Sequence, residues 1–365
     1  MFISYVRHFI KRLDLTIIIV SFLLVGIGLV SLYGYAANRN DFSDFKKQVI
    51  FFAVGIIFML LLSFVDWRIF KESSALVLTL YFFCLIALTG LFFLAPEIRG
   101  VKGWYRLGPL SFDPIEALKL VLIILLAKYF STRHIEMYRV RHILLSGFYV
   151  ALPVFLIFLQ PNLGPVLIII SLWVGALVIS GIKLRHFFIL VLCGVLVFIF
   201  SWNFLLKDYQ KERVVSFIYP IDPLGMNWNQ NQAKIAIGSG GILGQGIGKG
   251  SQTQYGFLPE SQTDFIFSAI AEETGLLGVS VLLALLLLLI WKTIKIALSS
   301  YSNFPRLFAT GFAILLISEI FIHIGMNLGL LPIIGISLPL VSYGGSGLIV
   351  NFIALGILQS IKNNS

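Results

Sequence analysis

The sequence predicts an all-α polytopic membrane protein with ten transmembrane helices and both termini on the cytoplasmic side. Three observations predict it. Of 365 residues, 58% are hydrophobic and 12% are charged, so charge is about half as frequent as in soluble chains and too little polar surface exists to cover the apolar mass. Apolar runs near the length needed to cross a bilayer, about 20 residues, recur along the chain. The basic residues fall mostly on one side of those runs. This composition excludes a disordered chain. The net charge of +10 would point to nucleic acid in a soluble domain, but in a membrane protein it follows topology first.

The first run, Leu15 to Ala36, follows Arg7, Lys11 and Arg12. Its 22 residues exceed a signal-peptide core and are enough to cross a bilayer, so it reads as a retained span. Further runs lie at 49–65, 75–95, 115–130, 143–160, 164–180, 187–206, 265–291, 307–331 and 340–361. Pro161 divides what would otherwise be one very long run, because proline ends a helix. Cys84 and Cys193 both lie inside apolar runs and read as small apolar filler rather than as a disulfide or metal ligands.

With the N-terminus inside, the cytoplasmic segments hold Arg7, Lys11, Arg12, Arg68, Lys71, Lys128, Arg133, Arg139, Arg141, Lys183, Arg185, Lys292, Lys295, Arg306 and Lys362, against the acids Asp14, Asp66, Glu72 and Glu136. Their balance is +11, and the rest of the chain balances at −1. The positive-inside rule therefore favours ten spans with both termini inside; an odd count would scramble the asymmetry. The whole chain, 1–365, reads as a single membrane domain. Two outer segments are long, 96–114 and 207–263, the second between the seventh and eighth spans.

The large outer loop contains seven glycines within 238–250. It fails the P-loop pattern, having Leu243 and Gly250 where Gly and Ser or Thr are needed, and it lacks the dinucleotide fingerprint. An amide cradle for an anion and a flexible hinge remain as readings. The loop ends in Pro259-Glu260-Ser261-Gln262-Thr263-Asp264. Ser261-x-x-Asp264 fits a helix capping box. The same placement at a helix N-terminus would keep Asp264 ionised and able to accept a proton. Glu272 and Glu273 follow at a depth where a charge needs a partner or water.

In the shorter outer segment Lys102 and Arg106 flank Trp104, and Asp113-Pro114 opens the fourth span. Glu116 and Lys119 then share one helix face, as a neutralising pair or as the lining of an outward-open cavity. In the ninth span Glu319, His323 and Asn327 recur every four residues. That stripe either hydrogen-bonds between helices or faces a partner helix. Prolines and glycines between Asn327 and Gly347 break the helix there, which is tolerated only where protein or water covers the backbone.

Asn327-x-Gly329-Leu330-Leu331-Pro332-x-x-Gly335 followed by Leu338-Pro339-x-x-Ser342-Tyr343-Gly344-Gly345-Ser346 resembles the C-terminal signature of the SEDS (shape, elongation, division and sporulation) proteins. The resemblance covers the whole chain. Residues 234–241, 248–252 and 257–260 look more like the RodA branch than the FtsW branch. The resemblance implies a peptidoglycan glycosyltransferase for cell-wall elongation and rod shape. It would polymerise lipid II on the outer face of the bacterial cytoplasmic membrane, with a class B penicillin-binding protein and elongation-complex membrane proteins as partners. The family's essential acid falls on Asp264, which puts the base ahead of the cap. The family's Gln-Pro-Ser-Glu-x-x-Lys falls on residues 113–119, where Glu116 and Lys119 match. Its Arg-Trp pair becomes Gly103-Trp104, with Lys102 or Arg106 standing near. Asn162 replaces an acid, and Glu319 and His323 replace Gln and Asn.

The implied chemistry joins an acceptor sugar hydroxyl to the anomeric carbon of an undecaprenyl-diphosphate donor. A diphosphate leaves far more easily than an alkoxide, so one base, Asp264, suffices. The expected substrate-binding residues are Trp104, Lys102, Arg106, Glu116, Lys119, Lys249 and Glu260, with Glu319 and His323 at a partner interface. A divalent cation or the glycine-rich amides would be alternatives for stabilising the diphosphate, and that cation is the one cofactor in view. A lipid-precursor flippase and a non-catalytic scaffold for a transpeptidase are the competing functions.

Overall fold

A computed structural model of the chain describes residues 13–97, 102–108, 110–133, 140–219 and 227–364. Arg7, Lys11, Arg12, Glu136 and Arg139 lie outside the described residues. Each of the ten apolar runs forms a helix. Eight helices among the described residues are long and apolar enough to cross a membrane: α1 (Leu15–Arg39), α2 (Ser43–Phe64), α4 (Ser74–Leu94), α6 (Val140–Leu159), α8 (Leu184–Phe204), α12 (Ile266–Ser299), α13 (Asn303–Leu328) and α14 (Gly345–Asn363). Two more match the remaining runs. The 20-residue α5 (Pro114–Arg133) carries Glu116, Lys119 and Lys128, and α7 (Leu163–Ile179) has 17 residues. A short α3 (Arg68–Glu72) joins α2 to α4. The segment before α5 forms an antiparallel hairpin, β1 (Tyr105–Leu107) with β2 (Leu110–Phe112), pairing Arg106 with Ser111. The large loop folds into α9 (Asp208–Ile218), α10 (Trp228–Ser239) and α11 (Ser251–Gln254).

Helix α5 runs through the middle of the bundle. Ile115 and every residue from Leu118 to Ala127 are buried. A helix covered all round has no solvent face on which to put its charges, so Glu116 and Lys119 must find partners inside. Helix α8 is the opposite case, with no buried residue. An apolar helix exposed all round needs lipid or another apolar chain against it.

At one end of the bundle, α1, α12 and α14 are tied at one carboxylate. Asp14 caps α1 by accepting from Thr16 N at 3.0 Å. It also accepts from Lys362 Nζ at 2.9 Å and lies 3.6 Å from Lys292 Nζ. Gln359 closes the tie by accepting from Asp14 N at 2.8 Å and donating to Asp14 O at 3.2 Å. Burial alone would raise the Asp14 carboxyl, but the Lys362 hydrogen bond and the charges of Lys362 and Lys292 hold it below its usual value of 3.8. A depressed carboxyl contributes stability that is present above its unfolded pKa and lost as pH falls through the folded one. Thermal melts taken from pH 6 downward, roughly through the aspartate range, should therefore show wild-type stability falling more steeply than that of Asp14→Asn. Parallel curves would remove this role from Asp14.

Three details depart from expectation. Helix α14 begins at Gly345, not near 340, because 329–344 forms an irregular segment held inside the bundle. That segment passes so close to α1 that a Cβ at Gly28 would collide with the Val341 carbonyl. The capping box does not form: the N-cap of α12 is Phe265, with no side-chain bond, and Ser261 and Asp264 sit in the turn before it. The glycine-rich segment is not an open anion cradle: Gln245 N, Gly246 N and Gly248 N are bonded to α12. It wraps a break in α12 at Gly275, whose φ is +64°. Leu276 N and Leu277 N donate to Gly241 O and Ile242 O, while Gln245 N and Gly246 N donate to Glu272 O and Glu273 O, all at 2.9–3.2 Å. The anion held here is the chain's own. Glu272 accepts from Gln252 N at 2.7 Å and from Thr253 N at 3.0 Å, and Glu273 accepts from Gly248 N at 3.0 Å.

Candidate active site

The turn Glu260–Asp264 stands where three recesses meet. Thr263 N and Phe265 N both donate to Glu260 O at 3.1 Å, which closes the turn, with Glu260 at φ +50°. A cavity of about 520 Å³ has Trp104, Arg106, Asn162, Gln210, Arg213, Glu260 and Asp264 in its wall. A deeper recess of about 200 Å³ is lined by Asp113, Glu116, Lys119, Thr263, Asp264 and the 335–347 segment. Asp264, half-buried, belongs to both, together with Trp104, Ser111, Asn162 and Gly335. A third space of about 400 Å³ lies on the far side of the turn, between Arg39, Asp41, Asp44, Glu260 and Tyr343.

The hairpin is what brings Trp104 and Arg106 here. Tyr105 donates its hydroxyl to Ala87 O at 2.5 Å, pinning β1 onto α4, and neighbouring strand residues point to opposite faces. Asp113 then starts α5, accepting from Ile115 N at 2.8 Å and donating its own N–H to Ser346 Oγ at 2.9 Å. Helix α9 has Gln210, Arg213 and Val214 on one face, at helical spacing, and that face forms the opposite cavity wall. On the same side of the site α10 is docked to the bundle, with Gln230 donating to Leu331 O at 2.9 Å.

The expected site residues separate into groups. Asp264, Trp104, Arg106 and Glu260 meet around the larger cavity, and Glu116 and Lys119 line the smaller one. Lys102 and Lys249 line neither. Lys102 donates to Phe92 O at 3.4 Å, and Lys249 is exposed beside the glycine-rich segment that packs on Gly34. Arg213 and Gln210 escaped the sequence reading. Their signal was there, in the helical spacing of the charged stretch after Lys207, but the loop's mixture of aromatics and amides was not read as a helix.

Lys119 is buried between two carboxylates, 2.8 Å from Glu116 Oε1 and 2.5 Å from Glu319 Oε1. One ammonium answers two acids, so Lys119 brings no surplus positive charge to the recess. Glu319 and His323, expected at a partner interface, turn into the bundle of this chain. Glu319 is 3% exposed and His323 is 0% exposed. His323 Nδ1 lies 2.7 Å from Ile336 O, and Asn327 continues the stripe inward toward Asp264 and Ser268. The stripe binds α13 to its own neighbours among the described residues. Among the described residues, no group of three or more His, Cys, Asp or Glu side chains gathers to hold a metal ion.

Comparison with known proteins agrees with this architecture. The family described as cell cycle protein, FtsW/RodA/SpoVE, matches residues 12–365. The peptidoglycan glycosyltransferase MrdB of Escherichia coli K12 is 34% identical over 354 residues, covering 97% of this chain and 94% of its own. A chain from a peptidoglycan synthase complex that coordinates polymerization and crosslinking superposes with a TM-score of 0.81 at 31% identity, covering 96% of this chain and 97% of that one. The rod-shape-determining protein RodA of Thermus thermophilus gives a TM-score of 0.70 at 27% identity, with 96% of each chain covered. The chain is a polytopic membrane protein that belongs to the FtsW/RodA/SpoVE family.

Proposed function

We propose that this chain is a peptidoglycan glycosyltransferase of the bacterial cytoplasmic membrane, polymerising lipid II for cell-wall elongation. The observation that carries the reading is a half-buried carboxylate, Asp264, at the junction of an arginine-bearing cavity and a smaller recess. Ten spans in a single membrane domain, with both termini inside, fit the chain best. At about 1.5 Å per residue, the 20 residues of α5 reach the ~30 Å of a bilayer core. The 17 residues of α7 are at the lower limit. This orientation puts the +11 excess inside and the three recesses outside, where a lipid-linked sugar is presented.

Asp264 accepts the proton of the acceptor hydroxyl as its oxygen attacks the anomeric carbon. The new glycosidic C–O bond forms while the bond to the donor diphosphate breaks, and the electron pair leaves with the diphosphate. Attack from the opposite face inverts the configuration. Arg106 and Arg213 stand in the wall where the leaving charge would develop, and fixed cations there lower the barrier without reorganising. Lys119, already answered by Glu116 and Glu319, is a poor candidate for that task. Trp104 offers a flat apolar face at the boundary of the two recesses. The partner assignment is a class B penicillin-binding protein, within an assembly of elongation proteins, meeting the apolar outer faces of the bundle.

Purified protein given defined lipid II should yield glycan polymer on a gel. Transfer of fluorescent lipid across vesicles without polymer would support a flippase instead, and neither activity with retained transpeptidase binding would support a scaffold. In the same assay Arg106→Ala and Arg213→Ala should each lower kcat/KM roughly ten- to hundredfold, the loss of a charge-assisted contact of about 1.5–3 kcal/mol. Unchanged kinetics in both would move the diphosphate elsewhere.

A further inference from the structure

We infer that Asn327 and Ser342, from the C-terminal signature, are positioning residues that hold Asp264 at the junction of the two recesses. The inference rests on the proposed role of Asp264 as the base. Three consecutive carbonyls of the catalytic turn each accept one bond from the C-terminal part of the chain. Tyr343 N donates to Gln262 O at 2.9 Å, Ser342 Oγ to Thr263 O at 2.8 Å, and Asn327 Nδ2 to Asp264 O at 3.0 Å. Helix α12 starts at Ile266 with no side-chain cap, so its first turn does not itself fix residues 262–264. The three donors do, because each carbonyl they hold sets the direction of the peptide on which the next residue is mounted.

Both side chains are locked from behind. Asn327 is 0% exposed and lines none of the three recesses. Its Oδ1 accepts from Ser268 Oγ at 2.6 Å and from Ser268 N at 3.3 Å, and its Nδ2 also donates to His323 O at 2.8 Å. A reversed amide would set its oxygen against two carbonyls, so the donor has only one orientation. Ser342 Oγ accepts from Leu338 N at 2.8 Å, which aims its proton at Thr263 O. Gln48 braces the same segment from α2, donating to Ser342 O and accepting from Gly344 N, both at 3.2 Å. A buried Asn that touches the base's backbone and lines none of the three recesses acts through geometry, and displacement of a reacting group by 1 Å costs roughly a hundredfold in rate.

Steady-state polymerisation kinetics on full-length purified protein separate this role from binding and from general packing. Asn327→Asp keeps the shape but places an acceptor against Asp264 O. Ser342→Ala removes the second donor, and Ser342→Thr restores it. Asn327→Asp and Ser342→Ala should lower kcat about ten- to hundredfold with KM for lipid II within about twofold, and Ser342→Thr should recover most of the loss. Wild-type kcat in Ser342→Ala, or a loss confined to KM, would overturn the inference, and that variant decides the matter if Asn327→Asp does not fold. A fully active Asp264→Asn protein would instead remove the base assignment, so the two failures are distinguishable.

Discussion

An Asp264→Asn variant is expected to fold, insert and retain its partner, yet to make no detectable glycan polymer. Asparagine has the same shape, and the bonds from Asn327, Ser342 and Tyr343 reach the turn's backbone carbonyls, which the change leaves in place. What the change removes is the ability to take a proton. General-base catalysis is worth roughly a hundred- to ten-thousandfold, a loss that takes a slow membrane polymerase below the limit of a gel assay. Glu260 is the informative control, because it lines the same cavity and is the other carboxylate in that wall. Glu260→Gln should retain polymer formation. An active Asp264→Asn beside an inactive Glu260→Gln would exchange the two roles. Wild-type chains from both would leave the turn without a base and sink the mechanism.

The helices were legible because a membrane core imposes one rule throughout, that each span be about 20 residues and apolar. Pro161 divided two of them correctly because the loss of an N–H acts locally. The errors arose where backbone hydrogen bonds are made over long distances. The capping box at Ser261 and Asp264 was a local pattern, but the carbonyls of that turn are held by residues 327, 342 and 343. The seven glycines lacked every nucleotide motif, yet nothing local showed that they would wrap a broken helix around Gly275. Glu319 and His323 form a stripe with helical period that the sequence shows directly. Which way a stripe faces depends on where the other helices pack, and α5 brings Lys119 to meet it. The proposed base itself was visible in sequence only as one of two readings, until the family signature weighed between them.

The buried triad carries the second large effect. Lys119→Met should largely fail to accumulate in folded form. The side chain it replaces is 4% exposed and lies between Glu116 and Glu319, the latter 3% exposed. Methionine fills similar space, so packing survives, but two carboxylates then face each other without a cation. Removing one member of a buried ion pair costs about 3–5 kcal/mol, a large share of a typical total of about 5–15 kcal/mol. The same geometry predicts the opposite behaviour for Glu319→Gln. That change leaves one ammonium with one carboxylate and an amide oxygen that still accepts from Lys119, so stability should be equal to or above wild type. The double variant should be markedly more stable than Lys119→Met alone, because the interaction removed by the first change is partly removed from its partners by the second. Detergent-solubilised melts of the four proteins close the cycle. If Lys119→Met is as stable as wild type but inactive while Glu319→Gln is active, the ammonium serves the substrate and the triad's charges are balanced some other way. If it is unstable and is recovered by Glu319→Gln, its task is to let α5 and α13 pack acids against each other beside the recess.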